Sequence, residues 1–221
     1  MAVCIMMMIL AAVAVVGLLA ILRAAMCLPK RVFRFGRGAP RRQKRVSTVM
    51  VVLGSGGHTT EMLRMLEGLD GDRFSPRHYV VADTDRISSD KAHAHEASRT
   101  APSSYTVHVI PRSREVGQSY VSSLWTTGIA TLSAARLFAR VMPDVLICNG
   151  PGTCIPLCMC AWLLRFVGVH DTTIVFVESF ARVESLSLTG RLLYRVADTF
   201  HVQWQQLYAR YPLATYRGFL I

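Results

Sequence analysis

From residue 46 onward the chain alternates apolar runs with amphipathic stretches. Val46–Leu53 is a continuous, β-branched-rich run, the pattern of a strand buried on both faces. In Thr59–Leu69, Met62, Leu63, Leu66 and Leu69 recur at helical spacing and predict a helix with one apolar face. Arg77–Ala82 reads as a second strand, Arg86–Arg99 as a polar helix, and Tyr105–Ile110 as a third strand closed by Pro111. A polar loop, Arg112–Ser119, leads into a long helix, Tyr120–Val141, and Pro143 separates that helix from a fourth strand, Asp144–Cys148. Thr153–Val167 predicts an apolar helix with Pro156 in its first turn, where a missing N–H costs little. Thr172–Val177, a short helix over Leu188–Ala197, and Thr199–Gln203 complete the pattern before a short tail. No internal repeat is present.

Strands alternating with helices predict an α/β fold: a Rossmann-like parallel sheet with helices on both faces. The default strand order is 3-2-1-4-5-6, which makes strands 1 and 4 neighbours at the point where ligands bind. The loop after strand 1 is Gly54-Ser55-Gly56-Gly57-His58, and the loop after strand 4 is Asn149-Gly150-Pro151-Gly152-Thr153. Two glycine-rich loops therefore flank one crevice. Glycine lets backbone approach a ligand closely, and the helix N-terminus behind each loop offers free N–H groups, a combination that favours phosphate or diphosphate. The dinucleotide fingerprint G-x-G-x-x-G is met only in part, since Thr59 stands at the third glycine position. Asp83, at the end of strand 2, is the acid that a ribose would need. A Walker loop is excluded because no G-K-[ST] occurs.

Charge changes the picture at the N-terminus. Met1–Leu22 carries no charged side chain, and as a helix it would span roughly 33 Å, enough for a bilayer core. Residues 1–45 hold 9 of the 25 Lys and Arg and none of the 14 acids, so most of the formal +11 sits there. A cleaved signal peptide would carry its positive charge before a shorter apolar core. The pattern instead predicts a transmembrane anchor over 1–22, a basic juxtamembrane linker over 23–45 and one globular domain over 46–221. The positive-inside rule puts the basic side in the cytosol and the N-terminus on the far side. Beside such an anchor the basic run suits anionic lipid headgroups, and nucleic acid is not an expected partner.

A cytosolic domain keeps its thiols reduced. Cys27 adjoins the anchor, where acylation is one option. Cys148, Cys154, Cys158 and Cys160 cluster, but C-x5-C-x3-C-x-C lacks the paired knuckles of structural zinc sites. No metal and no cofactor is expected, and the cysteines read as small packing residues.

Three segments, LGSGGHTTEML, PDVLICNGPGTCIP and VFVESFARVESLSLTGRLLYRVADTFHVQW, resemble one family. It comprises the membrane-anchored subunits of the two-chain N-acetylglucosaminyltransferase that extends dolichol-linked N-acetylglucosamine diphosphate in asparagine-linked glycosylation. That family is similar to the acceptor-binding half of the bacterial transferase that makes lipid II. The resemblance covers Val46 to about Arg217. It implies the N-terminal half of a GT-B glycosyltransferase, whose sugar-nucleotide half is absent here. It also implies a small soluble partner that binds UDP-N-acetylglucosamine and is recruited to the cytosolic face of the endoplasmic reticulum membrane.

On that reading Gly54, Ser55, Gly56 and Gly57 face the acceptor diphosphate; the alternative is a tight turn that lets the first helix pack. His58 is the candidate general base on the acceptor hydroxyl, against a histidine that only caps the helix or binds phosphate. Glu61, assigned to the first helical turn, complements the helix dipole. Asn149, Gly150, Gly152 and Thr153 form the second wall, or a plain strand-to-helix turn. Arg112 and Arg114 could touch phosphate or headgroups, or be solvated. Glu178 and Ser179 end strand 5 at the same edge, with a substrate or interface role set against a solvated loop acid. Trp125 and Leu132 are expected to pack on the sheet or a membrane surface, and the apolar tail to dock on this chain or its partner. Two rivals stand. One is a membrane-tethered nicotinamide oxidoreductase, for which the Y-x-x-x-K pair is missing. The other is an inert scaffold with all chemistry in the partner.

Overall fold

The computed structural model describes residues 2–29, 46–99, 104–112 and 120–220, apart from the side chains of 2–5, 7–11 and 120–124. The elements run α1 (Ala2–Cys27), β1 (Val49–Val52), α2 (Gly57–Glu67), β2 (Arg77–Ala82), α3 (Arg86–Ala97), β3 (Tyr105–Ile110) and α4 (Tyr120–Val141). They continue with β4 (Val145–Cys148), α5 (Cys154–Val167), β5 (Thr173–Val177), α6 (Leu188–Leu193), β6 (Thr199–Val202), α7 (Gln205–Arg210) and β7 (Thr215–Tyr216).

The strands form one parallel sheet in the order β3-β2-β1-β4-β5-β6-β7. The expected order is therefore present, extended by a strand that the sequence pattern does not announce. β1 is buried at every position, and its alternation divides the core. Met50 and Val52 belong to the core cluster on the face covered by α4, α5, α6 and α7, whereas Val49 and Val51 belong to the one with Met62, Leu63 and Leu66 of α2 and Ala92 of α3. Helices thus cover both faces. β1 is shorter than the apolar run around it: its pairing covers only 49–52, and Val46 is exposed.

The polar helix α3 is held by a buried ion pair. Arg77 and Tyr79 are wholly buried on β2, and Glu96 comes down from α3 to meet them. Arg77 Nε donates to Glu96 Oε1 at 2.7 Å and Nη2 to Oε2 at 2.6 Å, and the Tyr79 hydroxyl also donates to Oε1. Burial alone would push the Glu96 carboxyl up. The hydrogen bonds from Arg77 and Tyr79, with the charges of Arg77 and Arg99, outweigh it and hold the group below its ordinary range.

The described side chains of α1 are exposed from Ala12 to Leu22. Its last turns join the globular part at the end of α5, which stops at Gly168 in a left-handed conformation (φ 79°). Arg23 caps that end, Nε donating to the Phe166 carbonyl and Nη2 to the Arg165 carbonyl, each at 2.8 Å. Arg165 Nη1 returns a bond to the Cys27 carbonyl at 3.3 Å. Cys27 is buried, which leaves its thiol without the access that acylation needs. Among the described residues no helix is long and apolar enough to cross a membrane. Part of the predicted anchor, and residues 30–45 of the predicted linker, lie outside those residues.

Trp125 and Leu132 do not pack on the sheet: they are 77% and 55% exposed on the outer side of α4. The tail does dock on the chain itself. Phe219 packs edge-on against Phe180 and Trp204 with ring centroids 5.4 and 5.1 Å away, and the Leu220 amide donates to Gln203 Oε1 at 3.4 Å.

Candidate functional site

The two glycine loops meet at the carboxyl ends of β1 and β4. Gly54 is buried against the other loop, so that a Cβ there would lie 2.8 Å from Pro151. Its carbonyl accepts from Ser88 Oγ at 3.2 Å and from Thr59 Oγ1. The loop is thereby tied to the start of α3, which Asp85 caps by accepting from the Ser88 amide. Ser55, Gly56 and Gly57 are exposed. Gly56 has φ 66°, and α2 begins with no side-chain cap on its N-terminus. The first N–H groups of an uncapped helix are open to an anionic ligand.

His58 spans the two loops. Asn149 Nδ2 donates to the His58 carbonyl at 2.7 Å. Gly150 adopts φ 88° directly against the imidazole, where a Cβ would lie 2.9 Å from Cε1. Glycine is needed there for both reasons. Burial pushes the imidazole below its ordinary range. The Glu61 carboxylate opposes that shift, the Arg182 guanidinium adds to it, and the Asn149 main chain gives a smaller opposing push. A neutral imidazole near pH 7 is the form a general base requires.

Arg112 reaches the first loop, its Nη2 lying 3.4 Å from Ser55 Oγ, while its amide donates to Asp83 Oδ1 at 3.3 Å. Asp83 itself borders a shallow cavity of about 450 Å³ beyond β2. Gly152 is exposed and Thr153 buried at the start of α5. Arg114 lies outside the described residues.

Two acids differ from expectation. Glu178 is not a solvated loop acid: it is wholly buried. Its Oε2 accepts from the Ser187 amide at 3.0 Å and the Ser187 hydroxyl at 3.2 Å, and Oε1 from the Ser179 amide at 3.3 Å. Burial pushes the carboxyl up, against those bonds and the Arg182 charge. A Cβ on Gly190 would collide with Oε2, so the 179–187 loop closes tightly over this acid. Glu61 is not in the first turn of α2, because that helix starts at Gly57. Its Oε1 instead accepts from Ser179 Oγ at 3.0 Å across the crevice. The spacing of Glu61 from His58 was a visible signal for their association, since residues three apart share a helix flank. Nothing local in the sequence announces Arg182.

The cysteines pack. Cys148 and Cys158 sulfurs are 3.8 Å apart, and Cys160 points the other way, to the Thr131 carbonyl of α4. Burial pushes the Cys148, Cys154 and Cys160 thiols up, Cys160 to about 11, which makes those three poor nucleophiles. Among the described residues no group of three or more His, Cys, Asp or Glu is arranged to hold a metal.

Residues 49–220 match the family described as "Oligosaccharide biosynthesis protein Alg14 like". The chain is 47% identical over 180 residues to UDP-N-acetylglucosamine transferase subunit ALG14 of Homo sapiens, covering 79% of this chain and 83% of that one. It is 45% identical over 174 residues to the subunit of the same name in Yarrowia lipolytica, covering 78% and 81%. Among solved structures it superposes on Acinetobacter baumannii MurG with a TM-score of 0.52 at 17% identity, over 71% of this chain and 41% of that one. That likeness is one of fold, and this chain spans about two fifths of the MurG chain.

Proposed function

The chain belongs to the family of Alg14-like oligosaccharide biosynthesis proteins, and from that premise we propose how it works as one subunit of a heteromeric UDP-N-acetylglucosamine transferase. It supplies the acceptor side of a shared site, as the N-terminal half of a GT-B transferase does. A small soluble partner brings UDP-N-acetylglucosamine. The joint product is dolichol-linked diphosphate carrying a second N-acetylglucosamine, made for protein N-glycosylation. The observation that carries this reading is the bond from Asn149 to the His58 carbonyl, which sets both glycine loops and one imidazole around a single crevice.

In that crevice the acceptor diphosphate lies against the free N–H groups at Gly56 and Gly57, with Arg112 beside Ser55 adding positive charge. His58 takes the proton from the acceptor hydroxyl as its oxygen attacks the anomeric carbon of the donor sugar, and UDP leaves with the bonding pair. Residues 1–22 form the single anchor in the endoplasmic reticulum membrane, 23–45 the basic linker, and 46–221 a cytosolic domain, with the N-terminus lumenal. The absence of charge before Arg23 and of acid before Glu61 supports that orientation. The exposed apolar side of α4 at Trp125, Ile129 and Leu132 fits a membrane surface. The family gives no support to the oxidoreductase alternative.

The test is transfer by this chain in membranes, with dolichol-diphosphate-N-acetylglucosamine and UDP-N-acetylglucosamine, the donor-binding subunit added or withheld. Product is expected only when both chains are present; product from this chain alone would refute the half-site. The tail bears on assembly. Phe219 stays 54% exposed after docking on Phe180 and Trp204, so removal of Tyr216–Ile221 strips the Tyr216 pairing of β7 and an apolar surface. Recovery of the partner with the truncated chain is expected to fall, measured by co-purification against the full chain; equal recovery would place the contact elsewhere.

A further inference from the structure

Resting on the transferase reading, a second acid enters the account of His58. Among the described residues, three buried side-chain atoms around the crevice have no hydrogen-bond partner: His58 Nδ1, Glu61 Oε2 and Asn149 Oδ1. Orphaned buried polar atoms are rare enough that each asks for an explanation. Glu61 is far from idle, because its other oxygen accepts from the Ser179 hydroxyl at 3.0 Å. Ser179 is itself buried, immediately after β5 and beside the closed loop over Glu178. A carboxylate on α2 is therefore held from the opposite side of the crevice, on the same helix flank as the imidazole.

The imidazole is confined as well. Gly150 lies against its Cε1 edge, and Nδ1 is the ring nitrogen that is sealed from solvent. Nε2 is then the nitrogen left for a substrate. The charged groups acting on the ring are Glu61 from its own helix and Arg182 from the loop after β5; from the loop after β4 the Asn149 main chain is a weaker hydrogen-bonding influence on the ring and Gly150 packs against it, and neither titrates.

We propose that Glu61 is a positioning residue for His58: clamped by the Ser179 hydroxyl, it takes the Nδ1–H of the imidazole through Oε2 and so presents Nε2 to the acceptor hydroxyl. Nε2 accepts the hydroxyl proton as the glycosidic bond forms and the bond to UDP breaks. The resulting imidazolium has its charge matched by the Glu61 carboxylate, and no further co-reactant is needed. Glu61 acts only through His58 and touches neither sugar. Asn149 Oδ1 has no part in this relay.

The experiment uses the full chain in lipid nanodiscs, with the donor-binding subunit for kinetics. Glu61→Gln keeps an oxygen for Ser179 but loses the charge. It is expected to lower kcat about 10-fold with the acceptor KM within about twofold, the split that marks a loss in the transition state rather than in binding. The acid limb of the kcat/KM profile should move to lower pH, because a carboxylate that favoured the imidazolium is gone. Glu61→Asp should restore part of kcat, and Ser179→Ala should move the same limb in the same direction by less. A readout independent of turnover is the His58 titration followed by 15N NMR of the chain alone, which should shift down in Glu61→Gln. An unmoved His58 titration overturns the proposal whatever the kinetics do, and so does a loss confined to KM. Should the wild-type complex make no product, the transferase reading falls, while the NMR shift would still decide whether Glu61 governs His58. If Glu61→Gln fails to fold, Ser179→Ala carries the same test from the other end of the bond, and a wild-type titration and profile there would overturn it.

Discussion

His58→Ala, assembled with the donor-binding subunit, is expected to transfer roughly 10²- to 10⁴-fold more slowly than wild type, the range for loss of a positioned general base. The loss should fall on kcat. The imidazole is only half-buried, so the melting temperature should fall far less than the turnover. A companion substitution isolates placement from chemistry. Gly150→Ala leaves His58 in the chain but sets a methyl 2.9 Å from its Cε1 and forces an L-residue to φ 88°. The ring must move, and kcat should fall with it. Steady-state kinetics on both variants, beside thermal unfolding, separates these outcomes. Wild-type turnover in His58→Ala would move the base to the partner and leave this chain's crevice as a binding surface, the inert-scaffold limit.

Breaking the Arg77–Glu96 pair is expected to be the most damaging change to stability. Removing one member strands the other, a charge buried with a bidentate partner 2.6 Å away, and such losses cost about 3–5 kcal/mol. Glu96→Ala should therefore unfold at much lower denaturant, and the effect should exceed that of any exposed charge on α3. Replacing both residues with apolar side chains of similar volume should recover most of the loss. The same pair predicts acid sensitivity. Glu96 is held below its unfolded range, so its contribution is present above the unfolded carboxyl range and is lost as pH falls through the folded value. Chemical denaturation of both variants across that interval is the check; an acid limb equally steep in Glu96→Ala would assign it to other carboxyls.

Much of the fold was legible because its signals are local. β2, β3 and α4 coincide with the runs Arg77–Ala82, Tyr105–Ile110 and Tyr120–Val141, each bounded by a proline, a polar loop or a change of period. The crevice was legible for a topological reason, since two glycine loops followed the two strands that the default order makes neighbours. What escaped was short or non-local. β7 has two residues and α7 six, below any reliable period. Glu178 looks like an end-of-strand acid facing water, and only the return of Ser187, nine positions later, buries it. Trp125 sits on an apolar helix, yet the core is reached by Ala134, Leu137 and Phe138 instead, on the side of α4 that packs against α5.

The Arg23 cap has a mechanical meaning. On the membrane-anchored reading proposed above, a flexible tether would let the domain swivel beneath the bilayer, and the crevice would sample many heights. Here the guanidinium fastens the end of α1 to the end of α5, while the crevice opens at the other end of α5, about 21 Å away for a helix of 14 residues. The end of α1 is thereby tied directly to the globular part, with Arg165 returning a bond to Cys27. With α1 as the anchor, a thicker or thinner bilayer that tilts the helix would swing the crevice with it. Lipid thickness would then be felt as a change in how far a membrane-bound acceptor must reach.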